Sequence, residues 1–145
     1  MKKIKLTCAH AIVKHLIAQK ILIDGNKEPL FAGAFGIFGH GNVACLGQAL
    51  EENQDKLPTW RGHHEQNMAL TGIAYARAKR RKQIFVATSS VGPGSTNMVT
   101  AAAVAMSNRC QYYFCQETLM QIECQIQFYN KLSILITLSL IHISE

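Results

Sequence analysis

The segment that most constrains the fold is the apolar run at residues 83–88, taken together with the turn and helix that follow it. The run reads QIFVAT, and its β-branched and aromatic residues are typical of a strand that is buried on both faces. Residues 91–94 (VGPG) then form a tight turn, and Ser95 or Thr96 opens an alanine-rich helix that ends near Ser107. A buried strand, a short turn and a helix are the repeating unit of a parallel sheet, so this segment favours the α/β class.

The same alternation runs through the earlier part of the chain. Apolar side chains recur at helical spacing after Thr7, a residue suited to cap the helix that they form. In chain order, the other predicted elements are a turn at residues 24–26, a strand at 30–38, a helix opened by Asn42 and ending near Glu52, a short strand at 57–60 and a helix at 65–81. This order of strands and helices with short connections predicts a doubly wound parallel sheet with helices on both faces.

Beyond residue 110 the composition changes. Residues 110–145 contain no glycine, proline or alanine, whereas all ten glycines and all three prolines lie before residue 95. Alternating strands and helices need turn residues between them. We therefore predict one incomplete domain over residues 3–109 and an atypical tail over residues 110–145, such as a truncated or out-of-frame reading would produce. An ordinary helix and strand that lack glycine are the alternative.

Two further expectations concern this tail. We expect it not to complete the parallel sheet and to be poorly ordered or loosely packed, which would leave the strand at residues 83–88 or its neighbour with an exposed edge. The stretch at residues 132–143 is apolar on both faces, a pattern that favours strand–strand aggregation.

Charge and composition exclude several classes of protein. With 48% hydrophobic and 17% charged residues, the chain is typical of a globular protein rather than a disordered one. The net charge is +6, but the basic run at residues 77–82 ends a predicted helix without interleaved aromatic residues, so we predict a solvated face and no nucleic-acid partner. No run approaches the ~20 apolar residues that span a bilayer, so we predict no membrane partner. Five irregularly spaced cysteines indicate reduced thiols, which predicts a cytoplasmic location.

Two groups of residues match a cofactor- or metal-binding pattern only in part. Residues 39–44 (GHGNVA) follow a strand and open a helix, which fits the dinucleotide-binding pattern, although the acidic residue expected about 20 positions later is missing. We favour a plain turn there and keep dinucleotide binding as an alternative. His40, His63 and His64 lack the spacing of a metal site, so no metal ligand is predicted in this chain.

Glu65 is the only acidic residue between Asp55 and Glu117, and it begins a helix that is otherwise basic and apolar. A carboxylate at a helix N-terminus can simply pair with the helix dipole. Alternatively, it is a buried carboxyl that desolvation allows to share a proton with a heterocyclic nitrogen. The predicted topology places Glu65 and the loop at residues 89–97 at the carboxyl ends of strands, where α/β folds bind ligands.

Three motifs in order make the chain recognisable: His64-Glu65-Gln66, residues 72–77 (GIAYAR) and residues 88–97 (TSSVGPGSTN). Over about residues 3–108 the chain resembles the pyrimidine-binding domain of thiamine diphosphate enzymes. Within that superfamily, residues 38–43, 47–51 and 90–103 are most similar to a hydrolase of myo-inositol breakdown. An acetohydroxyacid-synthase-like enzyme shares the His-Glu and Gly-Pro-Gly signatures and is one alternative. A non-catalytic α/β binding module is the other.

The resemblance implies thiamine diphosphate as cofactor and assigns roles to particular residues. Glu65 matches the glutamate that hydrogen-bonds N1′ of the aminopyrimidine ring, and it is the expected catalytic residue. The other residues expected to bind the cofactor are Ser90, Gly92, Pro93, Gly94 and Asn97, and those expected on the substrate side are His40, Gly41, Asn42 and His64.

The reaction that the resemblance implies is hydrolysis of a carbon–carbon bond beside a ketone in a cyclic dione, giving 5-deoxyglucuronate. The substrate is then a small molecule. The family's Gly-Asp-Gly…Asn motif, which holds Mg²⁺ and the diphosphate, has no counterpart in this chain. The resemblance therefore implies Mg²⁺ ligands outside this chain, a homo-oligomeric enzyme, and no activity for this segment alone.

Overall fold

A computed structural model describes residues 5–110, 112–117 and 122–125 of the 145-residue chain. Its helices are α1 (Cys8–Ala18), α2 (His40–Asn42), α3 (Gln48–Glu51), α4 (Glu65–Ala78), α5 (Pro93–Asn97) and α6 (Val99–Ser107), with a π-helical turn at Val43–Gly47 between α2 and α3. Its strands are β1 (Lys20–Ile23), β2 (Asn26–Pro29), β3 (Phe31–Gly36), β4 (Thr59–Arg61), β5 (Ile84–Ser89), β6 (Tyr113–Glu117) and β7 (Ile122–Gln125). The elements predicted before residue 110 are all present, some with shifted ends.

The main sheet has the strand order β4-β3-β5-β6-β7. β3 pairs in parallel with β4 and β5, β5 pairs in parallel with β6, and β7 runs antiparallel to β6. The predicted α/β class with a parallel sheet is therefore confirmed. β1 and β2 form a separate antiparallel hairpin around the predicted turn, where Asp24 and Gly25 have φ values of 49° and 84°.

Two hydrophobic cores lie on the two faces of β5, all of whose residues are buried. Ile84 and Val86 face the first core, whereas Phe85 and Ala87 face the second. The helices supply Ala9, Val13, Leu16, Ala49 and Leu50 to the first core and Ala69, Ile73, Ala101 and Ala105 to the second. Helices thus cover both faces of the sheet, as the doubly wound prediction requires.

The first helix begins where the sequence predicts, but the second begins earlier. Thr7 accepts a hydrogen bond from the His10 N–H at 3.2 Å and caps α1. The helix predicted to open at Asn42 begins at His40 instead. The Asn42 side-chain oxygen accepts from the Gly39 N–H at 3.1 Å, so Asn42 satisfies that amide from within the first turn.

Two later helix ends also differ from the predictions. The single helix expected from Ser95 or Thr96 to about Ser107 is two helices, α5 and α6, with Met98 between them. The first begins at Pro93, because proline suits a first position in which no N–H partner is needed. The predicted helix at residues 65–81 ends at Ala78, because Arg80 has a φ of 53°, in the left-handed region that terminates helices.

Residues just beyond position 110 belong to the sheet. β6 pairs with β5 in parallel, and Val86 lies opposite Tyr113 while Ser89 lies opposite Gln116. The expectation that the tail would not complete the parallel sheet is therefore wrong for residues 113–117. β6 covers the edge of β5 that was expected to be exposed. The apolar stretch at residues 132–143 lies outside the described residues.

The chain reaches β6 without glycine because Arg109 adopts the left-handed conformation, with a φ of 50°. The Cys110 N–H then bonds back to the Ala105 carbonyl at 2.9 Å, which closes α6. Cys110 and Tyr112 are only 1% and 3% exposed and belong to the second core, so loose packing does not apply to them. Burial raises the pKa of the Tyr112 phenol well above its usual range.

We predict that Gly72→Ala destabilises the fold, because the Tyr112 ring packs directly against Gly72 in α4. An added methyl group would displace the ring, and overpacking of this kind lowers the free energy of unfolding by about 1–3 kcal/mol. Urea denaturation of the full chain measures the change. Gly47→Ala is the matched control, because a β-carbon there would make only ordinary contacts at 3.6 Å. Equal stability of the two variants would contradict the packing of Tyr112 on α4.

Candidate active site

The candidate active site lies where three parallel strands end at the same edge of the sheet. β4 leads through residues 62–64 into α4, β3 leads through residues 37–39 into α2, and β5 leads through residues 90–92 into α5. Backbone bonds join these strand ends. The Gly62 N–H donates to the Gly36 carbonyl at 3.2 Å, and the Ile37 N–H donates to the Thr88 carbonyl at 3.1 Å. Ligands of α/β sheets bind in crevices at this edge.

Glu65 contacts the loop and short helix that follow β5. The Asn97 side-chain amide donates to Glu65 Oε2 at 3.1 Å. A β-carbon at position 94 would lie 3.0 Å from Glu65 Oε1 and 2.5 Å from Ser90 Oγ. Glu65 therefore lies beside the loop at residues 89–97, as the topology predicts. The expectation of a buried carboxyl is not met, because Glu65 is partly exposed.

The two glycines of the Gly-Pro-Gly turn are needed for different reasons. Gly92 has φ 64° and ψ −117°, a backbone conformation that other residues disfavour. Gly94 is buried, and any side chain there would displace Glu65 or Ser90. The loop is also fixed by a hydroxyl, since Ser95 Oγ donates to the Ser90 carbonyl at 2.9 Å. These contacts hold the turn against the Glu65 carboxylate.

His64 precedes Glu65 and caps α4. Its Nδ1 accepts from the Asn67 N–H at 3.4 Å, and its Nε2 lies 3.4 Å from Asn97 Nδ2. The start of α4 and the end of α5 thus bring His64, Glu65 and Asn97 together.

Asn42 joins the loop after β3 to the end of β5. Its side chain is 1% exposed, and its amide donates to Thr88 Oγ1 and to the Ser89 carbonyl, each at 3.4 Å. These bonds hold two of the three loops of the site together. His40 and Gly41 lie in the first turn of α2, at the same edge, and both are exposed.

Thr88 and Ser89 are site residues for which the sequence predicts no individual role. They are 1% and 0% exposed, and they accept the bonds from Asn42. Ser89 Oγ also lies 3.1 Å from Ser95 Oγ, which joins the strand end to α5. The signal in the sequence is the change from apolar to hydroxyl side chains at the end of an otherwise apolar run.

Two negative findings apply to residues 5–110, 112–117 and 122–125. No group of three or more His, Cys, Asp or Glu side chains among them is arranged to hold a metal ion. No helix formed by these residues is both long and apolar enough to cross a membrane.

Glu65 thus lies beside the Gly-Pro-Gly turn, at the edge of the sheet where α/β folds bind ligands. Residues 18–111, well over half of the chain, match the family described as "Thiamine pyrophosphate enzyme, N-terminal TPP binding domain". The chain belongs to this family, and the resemblance that its motifs indicate is confirmed.

Several curated proteins that match this chain share one enzyme name. Proteins named 3D-(3,5/4)-trihydroxycyclohexane-1,2-dione hydrolase from Clostridium tetani and Geobacillus thermodenitrificans are 52% and 54% identical to this chain over 108 residues. A protein of the same name from Listeria innocua is 49% identical over 113 residues. The matched regions cover 74–78% of this chain but only 17–18% of each relative. This similarity favours the hydrolase lineage over the acetohydroxyacid-synthase-like and binding-module alternatives.

We predict that Asn42→Ala destabilises the chain, because it leaves the buried Ser89 carbonyl and the Gly39 N–H without their side-chain partner. Unsatisfied buried polar groups cost about 1–3 kcal/mol in the free energy of unfolding, which urea denaturation can measure. Asn53→Ala is the matched control, because Asn53 is only partly buried and its amide donates to the Ala49 carbonyl one helical turn away. A smaller loss for Asn42→Ala than for Asn53→Ala would show that Asn42 does not join the loops.

Proposed function

We propose that this chain is the pyrimidine-binding part of a thiamine diphosphate-dependent enzyme that hydrolyses a carbon–carbon bond of 3D-(3,5/4)-trihydroxycyclohexane-1,2-dione, giving 5-deoxyglucuronate. The observation that carries the proposal is the Glu65 carboxylate, which lies beside Gly94 at the ligand-binding edge of the sheet. Family membership supports the cofactor, and the names of the relatives support the substrate.

The residues at the site fit an aminopyrimidine ring. Glu65 Oε2 is bonded to Asn97, whereas Oε1 has no hydrogen-bond partner among the described residues and is available to a ring nitrogen. A β-carbon at Gly92 would meet nothing within 4 Å, so the turn has open space at that position. Ser90 and Pro93 belong to the same turn and would line the ring.

Each group in the site has a chemical task under this proposal. When bound, thiamine diphosphate supplies a carbon nucleophile and an electron sink for breaking a bond beside a carbonyl group. Glu65 would exchange a proton with ring nitrogen N1′, which a carboxyl group can do and an amide cannot. His40 and His64 would transfer protons on the substrate side, because an imidazole ring has one nitrogen that donates and one that accepts a hydrogen bond. Asn42 would hold the loop that carries His40 and Gly41.

The rest of the active site is proposed to lie outside this chain. The described residues contain no metal-binding group, and the sequence lacks the Gly-Asp-Gly…Asn motif, so other segments would hold Mg²⁺ and the diphosphate. We expect a homo-oligomer in which a further domain completes the site. A cytoplasmic location is proposed because Cys8, Cys45 and Cys110 are free thiols.

We predict that Glu65→Gln abolishes most turnover in an enzyme that carries this segment. Residues 3–109 would replace the matching segment of the Clostridium tetani relative, and turnover of the dione would be followed with saturating cofactor and Mg²⁺. General acid–base groups contribute on the order of 10²–10⁴-fold, so the loss should fall in that range.

Circular dichroism would establish that the Glu65 variant of this chimeric enzyme is folded. Glu51→Gln, at an exposed carboxylate on α3, is the matched control and should retain turnover. If turnover of the Glu65→Gln enzyme stays within about twofold of its parent, Glu65 only pairs with the helix dipole and is not catalytic.

For the 145-residue chain alone, we predict no saturable heat in calorimetry with thiamine diphosphate and Mg²⁺. Contacts to the pyrimidine ring would have to offset an association cost of ~4 kcal/mol or more without contacts to the diphosphate. Saturable binding at micromolar cofactor would mean that the chain holds the diphosphate as well, which would contradict the proposed division of the site.

A further inference from the structure

The amide of Asn97 faces two neighbouring groups at the start of α4. Its Nδ2 lies 3.1 Å from Glu65 Oε2 and 3.4 Å from His64 Nε2. A side-chain amide carries two N–H groups, so one can point at each neighbour. Both neighbours are site residues, and Asn97 is the last residue of α5.

His64 cannot accept all the hydrogen bonds offered to it. Its Nδ1 faces the Asn67 N–H, and its Nε2 faces the Asn97 amide, both at 3.4 Å. A neutral imidazole has one acceptor nitrogen and one N–H, and a protonated imidazole has no acceptor. His64 can therefore cap α4 or accept a hydrogen bond from Asn97, but not both. The carboxylate is the stronger partner of the Asn97 amide, because the contact is shorter and assisted by charge.

The bond from Asn97 determines which oxygen of Glu65 lies on the Gly94 side. The terminal torsion of a glutamate side chain is broad and roughly two-fold, so an unbonded carboxylate would sample many orientations. With Oε2 held by Asn97, Oε1 lies on the Gly94 side, 3.0 Å from where a β-carbon of residue 94 would stand. Gly94 and Asn97 belong to the same short helix, so α5 determines both the position and the orientation of the carboxylate.

We propose that Asn97 is a positioning residue, which acts on the reaction by orienting the Glu65 carboxylate and does not itself bind the cofactor. This inference rests on the proposed function, in which Glu65 exchanges a proton with a ring nitrogen. It reassigns Asn97 from the group of residues expected to contact the cofactor. The loss of Asn97 should therefore lower the rate of the chemical step and leave cofactor affinity nearly unchanged.

The first test uses NMR of the full ¹⁵N-labelled chain without ligand. The side-chain amide protons of Asn97 should move upfield in Glu65→Gln, because a charge-assisted bond is lost. They should not move in Glu52→Gln, a change at a carboxylate that bonds His10 and Gln48 instead. Asn97 amide protons that do not respond to Glu65→Gln would overturn the proposal.

The second test uses the chimeric enzyme described above. Misplacing a catalytic group slightly can cost on the order of 10²-fold, so Asn97→Ala should lower kcat by about 10- to 100-fold. The KM for substrate and the Kd for thiamine diphosphate should change by less than about twofold, as for groups that act only on the chemical step. Asn108→Ala is the matched control, because Asn108 donates to the Val104 carbonyl at the far end of α6 and should retain kcat.

The outcomes separate the two proposals. If Glu65→Gln leaves turnover unchanged, the proposed function fails. If Glu65→Gln abolishes turnover but Asn97→Ala raises the cofactor Kd at unchanged kcat, Asn97 binds the cofactor and the positioning role fails. If the chimeric enzyme does not fold, the NMR result on the full chain decides the positioning role.

Discussion

Complete burial of β5 is the constraint on which the rest of the structure depends. All of its residues are buried, so helices must cover both faces and other strands must cover both edges. β3 and β6 pair with its edges, and the helices divide between the side of Ile84 and Val86 and the side of Phe85 and Ala87. Glu65 is the first residue of α4, which follows β4 after a short loop. It therefore lies at the edge of the sheet at which β5 also ends.

Two helix ends, those of α4 and α6, are closed by arginine where glycine is usual. Arg80 and Arg109 have φ values of 53° and 50° after α4 and α6, and the next N–H in each case bonds back into the helix, to Ala76 at 2.7 Å and to Ala105 at 2.9 Å. A side chain in this conformation costs on the order of 1 kcal/mol relative to glycine. The lack of glycine near residue 110 is therefore compatible with a sharp helix end and a continued sheet.

The site is built from polar groups at the end of an apolar strand. Asn42 links Thr88 and Ser89 to the loop after β3, and α5 holds the Glu65 carboxylate through Gly94 on one side and the Asn97 amide on the other. Among the described residues, Glu65 Oε2 has a hydrogen-bond partner and Oε1 has none. In the proposed function such a surface orients one ring of the cofactor, which is consistent with a chain that spans 17–18% of the length of its relatives.

The sequence by itself determined the main helices and parallel strands before residue 110 and the loops that carry the site, because apolar periodicity and the turn at residues 91–94 act between near neighbours in the chain. It predicted the turn at residues 24–26 but not the strands β1 and β2 on either side of it. It also singled out Glu65, which is acidic where its surroundings are basic and apolar. Only the tertiary structure decided that Asn97 bonds Glu65 across 32 positions, that Asn42 reaches Ser89 across 47, and that residues 113–117 pair with β5. These contacts depend on how distant elements pack and on strand register, and no local pattern encodes either.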